Sequence, residues 1–530
     1  MHCYLALVTT FIHVSAALDP GQQAFHVSGR RFLSEQPPLN STDNLIFNTV
    51  SSLLQHWPNT RYRNGHTVVP ARVPVGTLLF HGTFKNEIPT EPDWVSTDPE
   101  HSFSFCRSVS KDSGCWHLTL ITTRPLKILY FDGSSAAKMP DGVMDSQDLL
   151  VWDKVMPDKT LEEGERIGRL CEWGKQYELD GFLSEIMLCN FSAGVKVSSF
   201  LNIASADNAR HKSLQPYPEN PKNPKTFPLR LSTAYRVLES GSWHNYFPGE
   251  TRIHLDYSRL ISFYDTSLFP VLHLTRTQND RLTHRLDEIT PEETSVFKTR
   301  LGEVLSQGLG ENSDSGIDWK TLLDVIMNRY AERLELLHYI LNSTAYQPDY
   351  IATLKQAHRQ VSSMIAPYIL WSSVSRIDDQ SSADYSWAVP VFNHCSNAHT
   401  KDIETDGLFK ISDSEHLIVK SIKGVSREIC RALVGIWSEG MVAGLDEPDI
   451  ELPSPQIAQD PSRDMGGLWK SRIETLMAWL DWSYWIRCRP ACAYEEMCYI
   501  PMWPFFLTEE EKTNPQPKCI RRLESFAFDT

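Results

Sequence analysis

Three short stretches hold the residue types that could do chemistry: Thr77-Leu78-Leu79-Phe80-His81-Gly82-Thr83, Trp94-Val95-Ser96-Thr97-Asp98-Pro99, and Asp180-Gly181-Phe182-Leu183-Ser184-Glu185-Ile186-Met187-Leu188-Cys189. The first is an apolar run ending in His-Gly-Thr. It predicts a short buried strand with an imidazole and a bare glycine backbone at the lip of a sheet. In the third, a turn feeds a strand, and Glu185 stands just before three apolar residues. A carboxylate there is either solvated at the strand mouth or aimed at a substrate. Taken singly, each piece is ordinary strand-end structure. Their order along the chain favours the chemical reading.

The elements that must position these residues follow from hydrophobic period. Strands are expected at 77–81, 94–97, 116–122, 126–131, 182–189 and 195–200, with a short helix starting at Pro99 behind an Asp98 cap and a polar helix over 161–177. Residues 61–76 read as a proline-bounded loop. A first helix should start near Thr42 or Asp43, with Ile46, Val50, Leu53, Leu54 and Trp57 on one face. Beyond residue 283 the period turns helical over 292–305, 319–341, 349–370, 415–441 and 468–488. The apolar stripe from Leu322 to Leu341 predicts that the 319–341 helix is central to a bundle. The fold class is therefore α+β, with a strand-rich domain followed by a mainly α-helical region. The expected divisions are a signal peptide at 1–16, an arm and helix at 17–66, the α+β domain at 67–205, a proline-rich linker with extra strands at 206–282, a helical domain at 283–450 and a Trp/Cys-rich segment at 451–530.

A chain of 530 residues is too long for one core, which predicts two or three domains. Its net charge of −15 argues against nucleic acid or an anionic membrane surface as partner. The apolar N-terminus closes on Val14-Ser15-Ala16, which suits cleavage after Ala16 and a secreted or lumenal location, although His13 interrupts the apolar part. No later stretch has the length of a membrane helix. Of the 11 cysteines, Cys3 leaves with the signal; the ten that remain favour disulfides, with pairing undetermined. Asn40, Asn190 and Asn342 each open an Asn-X-Ser/Thr triplet, consistent with a lumenal route.

Other constellations are weaker. Asp132, Asp141, Asp145 and Asp148 lack the spacing of a calcium loop. Cys488, Cys492 and Cys498 lack the paired spacing or the histidine of a zinc site. Ser134 and Ser135 lack the Gly-X-Ser-X-Gly elbow. Asp256 with Asp265, or Glu185 with Asp180, could be drawn as a glycosidase pair, as any acidic chain allows.

The order of strand with His-Gly-Thr, strand with Ser-Thr, helix, two strands and a Glu-led strand resembles the ADP-ribosyltransferase superfamily, over residues 70–205 at most. That resemblance implies a split β-sheet domain and NAD as substrate. It implies that His81 binds the adenosine-side ribose, that Gly82, with Thr83 beside it, offers backbone to the nicotinamide amide, and that Ser96, Thr97 and Trp94 lie near the nicotinamide. Glu185 would be the catalytic carboxylate. Cleavage of the nicotinamide–ribose bond passes through an oxocarbenium-like state, which a carboxylate near the ribose stabilises without a metal. The sequence departs from the family by mixing a His first motif with a Ser-Thr second motif. Leu183 stands two residues before Glu185, where transferases carry Glu or Gln, which favours NAD cleavage over modification of a protein acceptor. The whole chain also resembles a group of uncharacterised secreted fungal proteins sharing the Leu-Leu-Phe-His-Gly-Thr, Tyr-Phe-Asp-Gly-Ser-Ser and Cys-Tyr-Ile-Pro-Met-Trp-Pro stretches. The competing expectation is a non-catalytic secreted interaction glycoprotein in which His81 and Glu185 are strand-end structure, with a secreted glycosidase third.

Overall fold

The computed structural model describes residues 37, 41–55, 65–103, 105–106, 114–133, 142–183, 186–203, 248–273, 281–306, 315–343, 350–374, 385–405, 409–446, 464–501 and 508–521. The expected signal segment, Asn40, the prolines from Pro216 to Pro228, and the Ser184-Glu185 pair lie outside the described residues.

The strands are β1 (Thr67–Val73), β2 (Leu78–Thr83), β3 (Asp93–Val95), β4 (Cys115–Thr122), β5 (Leu126–Phe131), β6 (Gly181–Leu183), β7 (Ile186–Leu188), β8 (Val195–Ile203), β9 (His254–Leu255) and β10 (Ile261–Ser262). They form one sheet in the order β10-β1-β5-β6-β7-β3, with β9 beside β1, and a second, three-stranded sheet in the order β2-β4-β8. Only β5 and β6 run parallel; the other pairs are antiparallel. A small hairpin of β11 (Glu496–Tyr499) and β12 (Lys518–Arg521) lies near the C-terminus.

The larger sheet is buried on both faces, as its near-continuous apolar runs require. Alternate residues Val69, Ala71, Ile128, Tyr130, Leu183 and Leu188 join one core cluster, while Val68, Leu129, Phe131, Phe182 and Met187 join another. Helices α1 (Asp43–Ser52), α6 (Trp319–Ser343), α7 (Tyr350–Ile365), α8 (Val389–Asn397), α9 (Asp413–Val442) and α10 (Met465–Leu480) complete the first cluster. The second is closed by α3 (Asp145–Trp152), α4 (Glu163–Gly174) and α5 (Pro291–Ser306). A short helix, α2 (Pro99–Phe103), starts at the expected proline.

Two expectations are corrected. The 61–76 loop contains β1, a strand with neighbours on both sides. Pro70 is tolerated because its side of β1 faces the gap between β10, which pairs at Thr67 and Val68, and β9, which pairs at Ala71 and Arg72; its carbonyl accepts from Asp256 N at 2.9 Å. The single strand at 182–189 is instead the antiparallel pair β6 and β7, with Leu183 opposite Ile186. A strand pair buried on both faces shows no alternation that would betray the reversal. The expected central helix is α6, whose Leu323, Ile326, Tyr330, Leu334, Leu337 and Leu341 are buried against α1, α7 and α10, although Tyr339 is 72% exposed; α9 is buried along most of its 30 residues. Ser412 and Glu415 form a capping box at the start of α9, and Glu415 also accepts from Trp319 Nε1 at 2.9 Å, tying α9 to α6.

All ten cysteines beyond Cys3 are paired, as Cys106–Cys115, Cys171–Cys189, Cys395–Cys430, Cys488–Cys498 and Cys492–Cys519. The clustered C-terminal cysteines are thus cross-links rather than a zinc set.

Where α6 meets α1, Asp324 is 3% exposed, and Lys320 Nζ, 3.4 Å away, also donates to Ser51 O at 3.0 Å. Burial pushes the Asp324 carboxyl up to about 7, against the opposing pull of Lys320. The folded state therefore holds a proton that the unfolded chain releases near its ordinary 3.8, so this group's contribution falls as pH rises from about 4 to 7. Asp324→Asn is expected to stabilise the protein by on the order of 2 kcal/mol at pH 8 and to make little difference at pH 4. Thermal unfolding of both proteins across that range is the check; an equal shift at all pH values would contradict it.

Candidate functional site

The two sheets share one core cluster, and among the described residues an isolated main-chain bridge joins them at a short seam. Phe80 of β2 and Ser96 exchange both main-chain hydrogen bonds at 2.8 Å, and this bridge is isolated. Pairing does not continue to the next same-side residues, Gly82 and Trp94. By strand alternation the Phe80 main chain faces Ser96, so the Gly82 N–H and C=O also face the seam rather than β4. Across it, Trp94 N donates to Asp93 Oδ1 at 2.7 Å, and Trp94 O lies 2.7 Å from His81 Nδ1. A carbonyl only accepts, so Nδ1 of His81 carries the hydrogen. An imidazole thus occupies the place where the ladder would have closed.

His81 is 6% exposed. Its Nε2 points toward Asp93 Oδ2 at 4.0 Å, and the edge of its ring meets Phe191 at 5.6 Å between centroids. On the adjacent strand, His117 stacks against Phe80 at 5.8 Å. Burial lowers the His117 pKa; a backbone hydrogen bond at Pro99 raises it and nearby His81 lowers it further. Ser102 Oγ donates to Pro99 O at 2.9 Å, so its 2.7 Å contact with His117 Nε2 has the imidazole donating. Ser102 is therefore not a hydroxyl facing a free base, which a serine nucleophile would need.

Gly82 has a second role. A Cβ there would lie 2.0 Å from Ser102 O and 3.1 Å from Cys106 N, so the end of α2 sits directly on its Cα. The Cys106–Cys115 disulfide links the residues just after α2 to the first residue of β4 and so fastens that contact.

The other expected site residues are placed as follows. Thr83 Oγ1 accepts from Lys85 N at 3.2 Å at the end of β2. The Trp94 indole is half-buried against the second core cluster, so it is the carbonyl of Trp94 that meets His81. Ser96 Oγ donates to Asp98 O and accepts from Asp98 N at 3.0 Å, shaping the turn into α2. Thr97 Oγ1 donates to Glu250 Oε2 at 3.0 Å, while Thr97 O accepts from Arg252 Nη1 at 2.6 Å. Arg252 also bonds Glu250 at 2.6 Å and Asp98 at 3.1 Å. Glu250, 7% exposed, and Arg252 thereby clamp the Ser-Thr turn. Sequence reasoning missed this pair, because nothing local marks a Glu and an Arg two residues apart as holding a turn about 150 residues away. Thus His81, Gly82, Trp94, Ser96 and Thr97 do converge on one seam, and Glu185 lies outside the described residues.

The rival carboxylates are engaged in structure. Asp145 takes both arms of Arg285 at 2.9 Å, and Asp148 forms a buried pair with Arg166 between α3 and α4. Asp180 holds Arg124 at 2.6 Å through both oxygens and accepts from Lys127 N. Asp256 and Asp265 each accept from the serine two residues on. Among the described residues, the only groups spaced like metal ligands are the disulfide cysteines and Glu496 beside them. No described helix is long and apolar enough to cross a membrane.

A disulfide-bonded chain of mixed α and β structure with this seam is similar to a group of fungal proteins. The family described as the YPL277C N-terminal domain matches residues 31–115 and 108–223, the part that holds both sheets' main strands. The Saccharomyces cerevisiae proteins YOR389W and YPL277C, both described as uncharacterised, are each 26% identical to it. The first alignment covers 90% of this chain and 84% of the relative, the second 57% and 76%. No solved structure matches.

Proposed function

We propose that this chain uses NAD, cleaving the nicotinamide–ribose bond by hydrolysis or ADP-ribosyl transfer on an ADP-ribosyltransferase-like split sheet. What carries the reading is the interrupted seam, where a glycine main chain faces a gap between two sheets beside an oriented imidazole. A paired backbone donor and acceptor is what a planar carboxamide needs. In this reading His81 orients the ribose, and Glu185 stabilises positive charge that exists only in the transition state.

The test is release of nicotinamide from NAD by the purified chain, run beside Glu185→Gln and His81→Ala proteins of matched thermal stability. Glu185→Gln is expected to lower turnover by roughly 100-fold or more with NAD binding largely kept, since the group acts on the transition state. His81→Ala is expected to weaken binding as well. No turnover, together with no NAD-induced rise in unfolding temperature, would remove the enzyme reading.

A second reading has an observation of its own. His81 is buried and bonded, and the Ser96 and Thr97 hydroxyls both hold local structure. Those features favour a non-catalytic secreted or lumenal interaction protein, and the five disulfides are compatible with either reading.

A further inference from the structure

The described residues separate two of the three Asn-X-Ser/Thr triplets sharply. Asn342 lies within α6, half-buried, and its Nδ2 is 3.1 Å from His338 Nε2, which also reaches Glu474 Oε1 at 3.2 Å. A glycan on that nitrogen would break the contact and force several sugar rings against a helix–helix junction. Asn190 is the opposite case. It is exposed, two residues past the end of β7, and its Oδ1 accepts from Ser192 N at 2.8 Å and Ser192 Oγ at 2.7 Å. Those bonds engage the carbonyl half of the carboxamide. Among the described residues Nδ2 donates to no neighbour.

The place of Asn190 gives the triplet a consequence. Leu188 pairs with Asp93, whose carboxylate faces His81, and Phe191 sets its ring against the His81 imidazole. Asn190 therefore stands on the rim of the seam, about 7 Å along the chain from the residue opposite Asp93. Next to it, Cys189 is cross-linked to Cys171 on α4, so this rim is fixed to the body of the protein.

We propose that Asn190 is a site of N-linked glycosylation, that Asn342 is left unmodified, and that the glycan overhangs the seam at His81. The donor is a polyprenyl-pyrophosphate-linked oligosaccharide. The bond formed joins Asn190 Nδ2 to the sugar's anomeric carbon; the bond broken is that carbon's link to the pyrophosphate, which leaves on the polyprenol while the amide proton passes to a base of the transferring enzyme. This rests in part on the proposed NAD site, since it bears on what can enter there. A glycan at this rim admits a dinucleotide and water more readily than the surface of a protein acceptor.

The experiment needs no turnover, so its failure is distinct from failure of the NAD reading. The full chain is secreted from a eukaryotic host, treated with peptide-N-glycosidase in heavy-oxygen water, digested and mapped by mass spectrometry. The expected result is heavy-oxygen aspartate at position 190 in most molecules and unmodified asparagine at 342, with Ser192→Ala abolishing the label at 190 and Ser192→Thr keeping it. Unmodified Asn190 in secreted, disulfide-bonded protein would overturn the proposal, and so would occupancy at 342 alone. The assignment is made on the unmutated chain, so a poorly folding variant does not blunt it.

Discussion

Gly82→Ala is expected to cost roughly 3–5 kcal/mol and to stop the protein accumulating, far beyond the usual penalty for one methyl group. The added carbon would sit 2.0 Å from Ser102 O and 3.0 Å from Ser102 C. Both are main-chain atoms of a helix whose next residues are tied down by the Cys106–Cys115 disulfide, so no side chain can swing aside to relieve the clash. The strand cannot retreat either, because β2 pairs with β4 along its whole length. Gly168→Ala is the matched control. It lies on the exposed side of α4 with nothing within 4 Å of the new carbon, and should stabilise the protein by about 0.5–1 kcal/mol through helix propensity. Apparent melting temperatures of the two variants should move in opposite directions. If Gly82→Ala proved neutral, the seat of α2 on β2 would be wrong. The same contact means that a change at Gly82 says nothing about catalysis, which is why the NAD test uses His81 and Glu185.

The sequence announced the pieces of the site better than it announced what holds them. The His-Gly-Thr and Ser-Thr stretches are legible because each ends a run of strand-forming residues. Pro99 is equally plain as a helix start, and α5, α6 and α9 begin within a few residues of where the helical period sets in. What is not legible arises from contacts far apart in the chain. β1 hides behind Pro70, which only the gap between β9 and β10 makes tolerable. The reversal between β6 and β7 hides in residues that are apolar on both faces. The Glu250–Arg252 clamp lies about 150 residues from the turn it holds, and nothing local marks it. The cysteine count favoured disulfides, but pairing is a property of the finished fold. Asp93 is a short-range case of the same limit. Its carboxylate looks like any solvated acid until strand register brings it to His81.

The second large effect is expected at the centre of α9. Glu428 is 1% exposed and Arg431 4% exposed, with Arg431 Nε donating to Glu428 Oε2 at 2.8 Å; Arg427 Nη1 reaches the other carboxylate oxygen at 3.1 Å. A buried ion pair contributes little net stability when compared with well-packed apolar side chains, because desolvating both charges offsets their attraction. Removing one partner is a different matter, because it strands a full charge in a place that water cannot reach. Glu428→Ala is therefore expected to cost about 3–5 kcal/mol, most of it from the Arg431 guanidinium left behind. Glu428→Leu combined with Arg431→Leu should lose much less than Glu428→Ala alone, despite changing twice as many residues. The comparison is informative because α9 packs on α1, α7, α8 and α10, so a fault here should loosen all of them together. Thermal unfolding of the single and double variants decides it. If the double variant lost as much as Glu428→Ala or more, the pair would not be coupled inside the core. The cohesion of the helical part would then have to come from apolar packing around Ile429, Leu433 and Trp437, with the ion pair contributing nothing specific.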